Sequence, residues 1–152
     1  MIFQEYSNRA DILFRFVSQY EKYISTLEPS KDQQTTIVER HLLININERH
    51  GITNVELAQL LGRTPGAITQ IIVKLEQKGL IERVKHVKNA KTVHIYPTPA
   101  GMKLAIAYKS QEIIGMDKML QVLQTTHTSE ELDTFWSVVS NFVDAISSSL
   151  AE

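Results

Sequence analysis

The chain has 152 residues, 43% of them hydrophobic and 22% charged, and no cysteine; this is a folding globular balance that excludes disulfides, thiolate metal centres, cysteine nucleophiles and thiol redox switches. The formal net charge is -1, but residues 63–91 hold seven basic groups against two acids, while residues 110–152 hold one basic group against seven acids. Residues 1–11 lack the basic-then-apolar pattern of a secretory leader, and no apolar run is long enough to span a bilayer, so a cytoplasmic protein without membrane contact is expected.

Residues 3–27 read as a helix, because Phe3, Leu13, Phe16, Val17, Tyr20, Tyr23, Ile24 and Leu27 recur at helical spacing. Pro29 marks the break that follows. Thr36 and Glu39 have the spacing of a capping box and open a second helix carrying Ile37, Leu42, Leu43 and Ile46, which Gly51 ends. Thr53 and Glu56 repeat the box and open a short third helix with Val55, Leu57, Leu60 and Leu61, stopped by Gly62. Thr64 and Pro65 start a fourth helix, whose inner face is Ile68, Ile71, Ile72 and Leu75 and whose end is Lys78 and Gly79.

The period then changes from helical to alternating. Residues 81–86 and 92–96 are rich in β-branched side chains and flank a polar, basic stretch at 87–91, the pattern of a β-hairpin. Thr98 and Pro99 start a long helix expected to run to about Leu123. Thr128 and Glu131 form another capping box before a last helix bearing Phe135, Trp136, Val139, Phe142, Val143, Ile146 and Leu150. The predicted fold is mainly α with a small β-hairpin wing: a winged helix-turn-helix domain flanked by N- and C-terminal helices.

Two short helices joined by a tight turn and followed by a basic hairpin suit DNA. The exposed start of the helix at Thr64 can enter a major groove, and the hairpin can lie along the backbone or in the adjacent minor groove. The same charges also fit an ordinary solvated face.

At these residues the sequence resembles the MarR family of transcriptional regulators. The resemblance rests on residues 53–62 (TNVELAQLLG), 66–70 (GAITQ), 75–83 (LEQKGLIER) and 96–101 (YPTPAG), and is strongest over about residues 36–104. It implies a homodimer, with residues 1–35 as N-terminal dimerisation helix and linker, 36–98 as the winged helix-turn-helix domain, and 99–152 as C-terminal dimerisation helices. The apolar stripes at the two chain ends fit that role, or pack on their own domain.

The expected DNA contacts are Gln70 and Thr69 on base edges and Arg63, Thr64, Lys74, Lys88 and Lys91 on phosphates, with Lys85 a lesser candidate. Pro65 and Asn89 complete the set. Gly66 serves either close backbone approach to DNA or internal packing. The sequence departs from the family in several places. Asn89 and Lys91 stand where many members have aspartate and arginine at the wing tip, Gly66 and Ala67 where serine and threonine are common, and Gln70 where arginine is common. Lysine is more strongly hydrated than arginine and less suited to a narrow groove. Glutamine can pair bidentately with adenine.

The resemblance also implies a small-molecule effector near the dimer helices, with Phe14, Tyr20, Tyr23, His41 and Tyr108 as candidate contacts or as plain core. A zinc-responsive branch of the family uses a second-helix histidine, matched by His41, together with fifth-helix histidines. Residues 105–112 supply none, so neither metal nor cofactor is expected. No phosphate loop, serine elbow, carboxylate pair or histidine–glutamate metal motif suggests an enzyme. The expected function is sequence-specific binding of double-stranded DNA as a repressor released by an effector. The alternatives are zinc-responsive regulation and a winged helix that only bridges proteins.

Overall fold

The computed structural model describes residues 2–26, 35–85 and 92–150. In chain order they form α1 (Ile2–Ser25), α2 (Ile37–Glu48), β1 (Ile52–Thr53), α3 (Asn54–Leu60), α4 (Pro65–Gln77), β2 (Ile81–Lys85), β3 (Val93–Pro97), α5 (Pro99–Leu123) and α6 (Ser129–Ser149). Two compact units result, Met1–Glu112 and Ile113–Glu152, with the boundary inside α5.

Local chemistry accounts for most helix boundaries. Thr36, Thr53 and Thr128 each accept a hydrogen bond from the backbone N–H of the glutamate three residues on, whose carboxylate accepts from the threonine's own N–H in return. Such caps contribute about 1 kcal/mol each. Thr64 caps α4, with Pro65 at its first position. Both α3 and α4 end in Schellman motifs. The Gly62 N–H donates to the Gln59 carbonyl and the Arg63 N–H to Ala58; the Gly79 N–H donates to Glu76 and the Leu80 N–H to Leu75. Both glycines hold left-handed backbone, with φ of 58° and 69°.

The sheet is antiparallel in the order β1-β3-β2. Ile52 pairs with Ile95, and β2 pairs with β3 from Ile81 opposite Pro97 to Lys85 opposite Val93. The hairpin arms agree with the sequence expectation; the added strand β1 does not follow from it. Two residues carry no readable period, and β1 exists only because β3 lies alongside.

The core of the first unit joins Leu42, Leu43 and Ile46 of α2, Leu57 of α3, Ile68, Ile72 and Leu75 of α4, Ile81 and Ile95 of the sheet, and Ala105 and Tyr108 of α5. Val55 and Leu60, apolar members of α3, face outward instead, since one face of a seven-residue helix meets the core. Along α1, Phe3, Leu13, Phe14, Phe16 and Val17 are exposed, whereas Ile24 is buried. In the second unit Leu132 is buried and Phe135 meets Trp136 edge-on, while Phe142, Val143, Ile146 and Leu150 are exposed. Among the described residues no helix is long and apolar enough to cross a membrane.

Candidate nucleic-acid interface

The site is built on α4. Burial of Ile68, Ile72 and Leu75 fixes one face, and leaves Arg63, Thr64, Pro65, Gly66, Thr69, Gln70 and Lys74 exposed on or just before the helix. Gly66, Thr69 and Gln70 share a face by the i, i+3, i+4 rule. Nothing stands within 4 Å of where a Cβ on Gly66 would lie, so no internal packing requires a glycine there. Lys85 is exposed on β2, while Lys88, Asn89 and Lys91 fall outside the described residues.

Polar contacts from Asn54, Arg83 and Glu39, none of which is among the expected site residues, hold α4 in place. Asn54, the first residue of α3, donates from Nδ2 to the Pro65 carbonyl at 3.1 Å and to Thr69 Oγ1 at 2.9 Å. Arg83 of β2 pairs with Glu76 on the last turn of α4. That hydrogen bond outweighs the opposing effect of burial, holding the Glu76 carboxyl below its ordinary pKa and the Arg83 guanidinium above its own. Arg83, one of the seven basic groups of residues 63–91, is thus paired with a carboxylate of the same domain. Lys78 Nζ sits 2.9 Å from Glu39 Oε2, across from α2. The two partners lie seven residues apart in one case and 39 in the other, so no local pattern announces them.

The expected effector residues divide. Tyr20, Tyr23 and His41 are half-buried. His41 Nε2 lies 3.7 Å from Glu112 Oε1. Burial first, then the charge of Glu112 and the neighbouring Tyr23, raise the Tyr20 hydroxyl above its ordinary pKa. Tyr108 belongs to the core: its hydroxyl bonds to Thr35, and the Arg40 guanidinium carbon lies 5.3 Å from its ring centre. Phe14 is exposed on α1. Among the described residues no group of three or more histidine, aspartate or glutamate side chains could hold a metal ion.

The buttress α3, a four-residue turn, the exposed α4 and an antiparallel wing form a winged helix-turn-helix, and residues 35–93 match the model of the MarR family. Over this part of its length the chain is similar to the MarR family. The likeness extends along the chain. An uncharacterized HTH-type transcriptional regulator of Bacillus subtilis, YhjH, is 29% identical over 106 residues, 70% of this chain and 60% of that protein, so the chain spans under two thirds of the relative's length. Streptococcus pneumoniae FabT, solved in complex with DNA, superposes with a TM-score of 0.72 at 22% identity, over 95% of this chain and 96% of that one. S. aureus MepR, also solved with DNA, gives 0.70 at 24% identity, over 90% and 97%. Both are likenesses of fold and cover nine tenths or more of this chain.

Proposed function

We propose that this chain is a MarR-family homodimeric transcriptional regulator that binds a pseudo-palindromic site in double-stranded DNA and acts as a repressor released by a small-molecule effector. The observation that carries the reading is α4 itself: an apolar face buried in the core, and an exposed, polar, uncharged start formed by Thr64, Gly66, Thr69 and Gln70. A helix so held can enter a major groove without rearranging. Arg63, Thr64, Lys74, Lys88 and Lys91 serve the DNA backbone with Lys85 as a lesser contact, Asn89 is a further DNA contact, and Pro65 sets the start of the helix. FabT and MepR, related in fold, are proteins seen bound to DNA, which supports the same use here.

The dimer follows from the exposed apolar faces of α1 and α6, which water disfavours and a second copy would cover. The effector would sit beside Tyr20, Tyr23 and His41, with Phe14 and Tyr108 at its margins. It releases DNA only by binding one state more tightly, typically with a coupling of about 1–3 kcal/mol.

The test is selection from a random double-stranded library, followed by a salt titration on the winner. An enriched inverted repeat is expected, with affinity falling by about 0.9 log units per log unit of salt for each phosphate neutralised. Replacing Gln70 relaxes base choice at one position, whereas replacing Lys74 lowers affinity on every sequence and flattens the salt slope. Binding that is weak and equal on all sequences would instead favour a winged helix used for protein contacts.

A further inference from the structure

We propose that Asn54, through its amide against Thr69 Oγ1 and the Pro65 carbonyl, holds Thr69 so that it meets DNA with its methyl group and reads the C5-methyl of a thymine. This rests on the DNA-binding reading above and names part of its specificity.

A threonine hydroxyl has one proton and two lone pairs. The Thr69 proton goes to the Pro65 carbonyl at 2.8 Å, and one lone pair receives Asn54 Nδ2 at 2.9 Å. The same Nδ2 donates to the Pro65 carbonyl at 3.1 Å, closing a three-membered ring of contacts between α3 and the first turn of α4. The amide orientation follows from chemistry. Turned over, it would set an acceptor oxygen against the Pro65 carbonyl, another acceptor.

The hydroxyl is thus drawn toward α3 and the helix's own backbone. Thr69 nevertheless remains exposed, and its remaining branch at Cβ is the methyl. Packing does not impose this rotamer, because Asn54 and Thr69 border an open cleft of about 430 Å³ beside β3. The hydrogen bonds do.

Thymine alone among the bases presents a methyl in the major groove, and a threonine methyl is a suitable apolar partner for it. Gln70, adjacent on the same face, suits adenine. The two together would favour an A·T-containing step.

The test uses the full chain and the site selected from the library, with each thymine replaced singly by deoxyuridine, which removes only the methyl. One thymine per half-site is expected at which uracil weakens wild-type binding about fourfold, the worth of one buried methyl. Thr69→Val, which loses the hydroxyl and keeps a methyl, retains that sensitivity. Thr69→Ser, which keeps the hydroxyl and loses the methyl, abolishes it. Asn54→Ala and Asn54→Asp, the latter keeping the shape without the donors, reduce it at the same thymine, with unchanged melting temperature and salt slope as controls for folding and phosphate contacts.

If Thr69→Val loses as much as Thr69→Ser, or no thymine responds, the hydroxyl or another group does the reading and the inference fails. Full sensitivity in both Asn54 variants removes Asn54 from the account. A wild-type chain that selects no sequence overturns the DNA-binding reading, and this inference with it; selection of a site insensitive to uracil overturns the inference alone.

Discussion

Lys78, at the C-terminal end of α4, reaches Glu39, in the first turn of α2, with Nζ 2.9 Å from Oε2. The Glu39 side chain is 5% exposed. It also accepts the Thr36 N–H at 3.0 Å, so one carboxylate caps α2 and anchors the far end of α4. Burial pushes its pKa up, but the hydrogen bonds from Lys78 and Thr36 and the charges of Lys78 and Lys74 prevail and hold it below the ordinary 4.5.

Glu39→Gln keeps the shape and removes the charge. A loss of roughly 1–3 kcal/mol at neutral pH is expected, the cost of an impaired hydrogen bond to a charged group. Because the folded pKa is depressed, the stabilisation is fully present above the unfolded value of 4.5 and disappears as pH falls through the lower folded value. Urea unfolding at several pH values checks this. The gap between wild type and variant should close in that acid window, and a gap independent of pH would assign the loss to shape instead.

Gly101 of α5 faces the α4–β2 connection so closely that a Cβ would fall 1.8 Å from the Leu80 carbonyl oxygen. That carbonyl accepts the Thr98 N–H at 3.0 Å, and the Thr98 hydroxyl bridges the Gly79 carbonyl and the Gly101 N–H. Backbone cannot yield there as a flexible side chain could. Gly101→Ala should therefore cost at least about 2 kcal/mol, read as a lowered melting temperature.

Gly66 presents the opposite case. Its Cβ position is open, and its φ is not positive, so alanine should raise stability by up to about 1 kcal/mol through helix propensity. If the backbone at Gly66 approaches DNA closely, the same variant binds the selected site more weakly. Thermal melts and DNA titration together check this. A stabilised variant of unchanged affinity would show that the DNA stays clear of this turn.

The exposed apolar face of α6 should respond to charge. Phe142→Asp and Ile146→Asp place a carboxylate where a second copy is proposed to pack, at positions 48% and 47% exposed, so the isolated chain tolerates either. Sedimentation should shift from dimer to monomer, and affinity for the inverted repeat should fall sharply as avidity is lost. A variant that remains dimeric would place the interface elsewhere.

The elements legible in the sequence were those whose cause is local. The capping boxes at Thr36, Thr53 and Thr128, the Thr64–Pro65 start and the glycines at 62 and 79 act within five residues of chain, and each appears where its pattern predicts. The inner face of α4 was equally readable, since Ile68, Ile72 and Leu75 follow the helical period. Strand β1 was not, being too short to have a period. The exposure of Val55 and Leu60 was not either, because residue type does not say which side of a short helix meets the core.

The sequence by itself determined the order and kind of the elements other than β1, and the exposed residues at the start of α4, because backbone hydrogen bonding, capping and amphipathic period are properties of neighbouring residues. Only the tertiary structure decided which polar groups are committed to one another. Arg83 with Glu76, Lys78 with Glu39, and Asn54 with Thr69 meet across separate elements. A hydrogen bond requires its two atoms within about 3 Å, and that proximity arises when the core of α2, α3, α4 and the sheet closes.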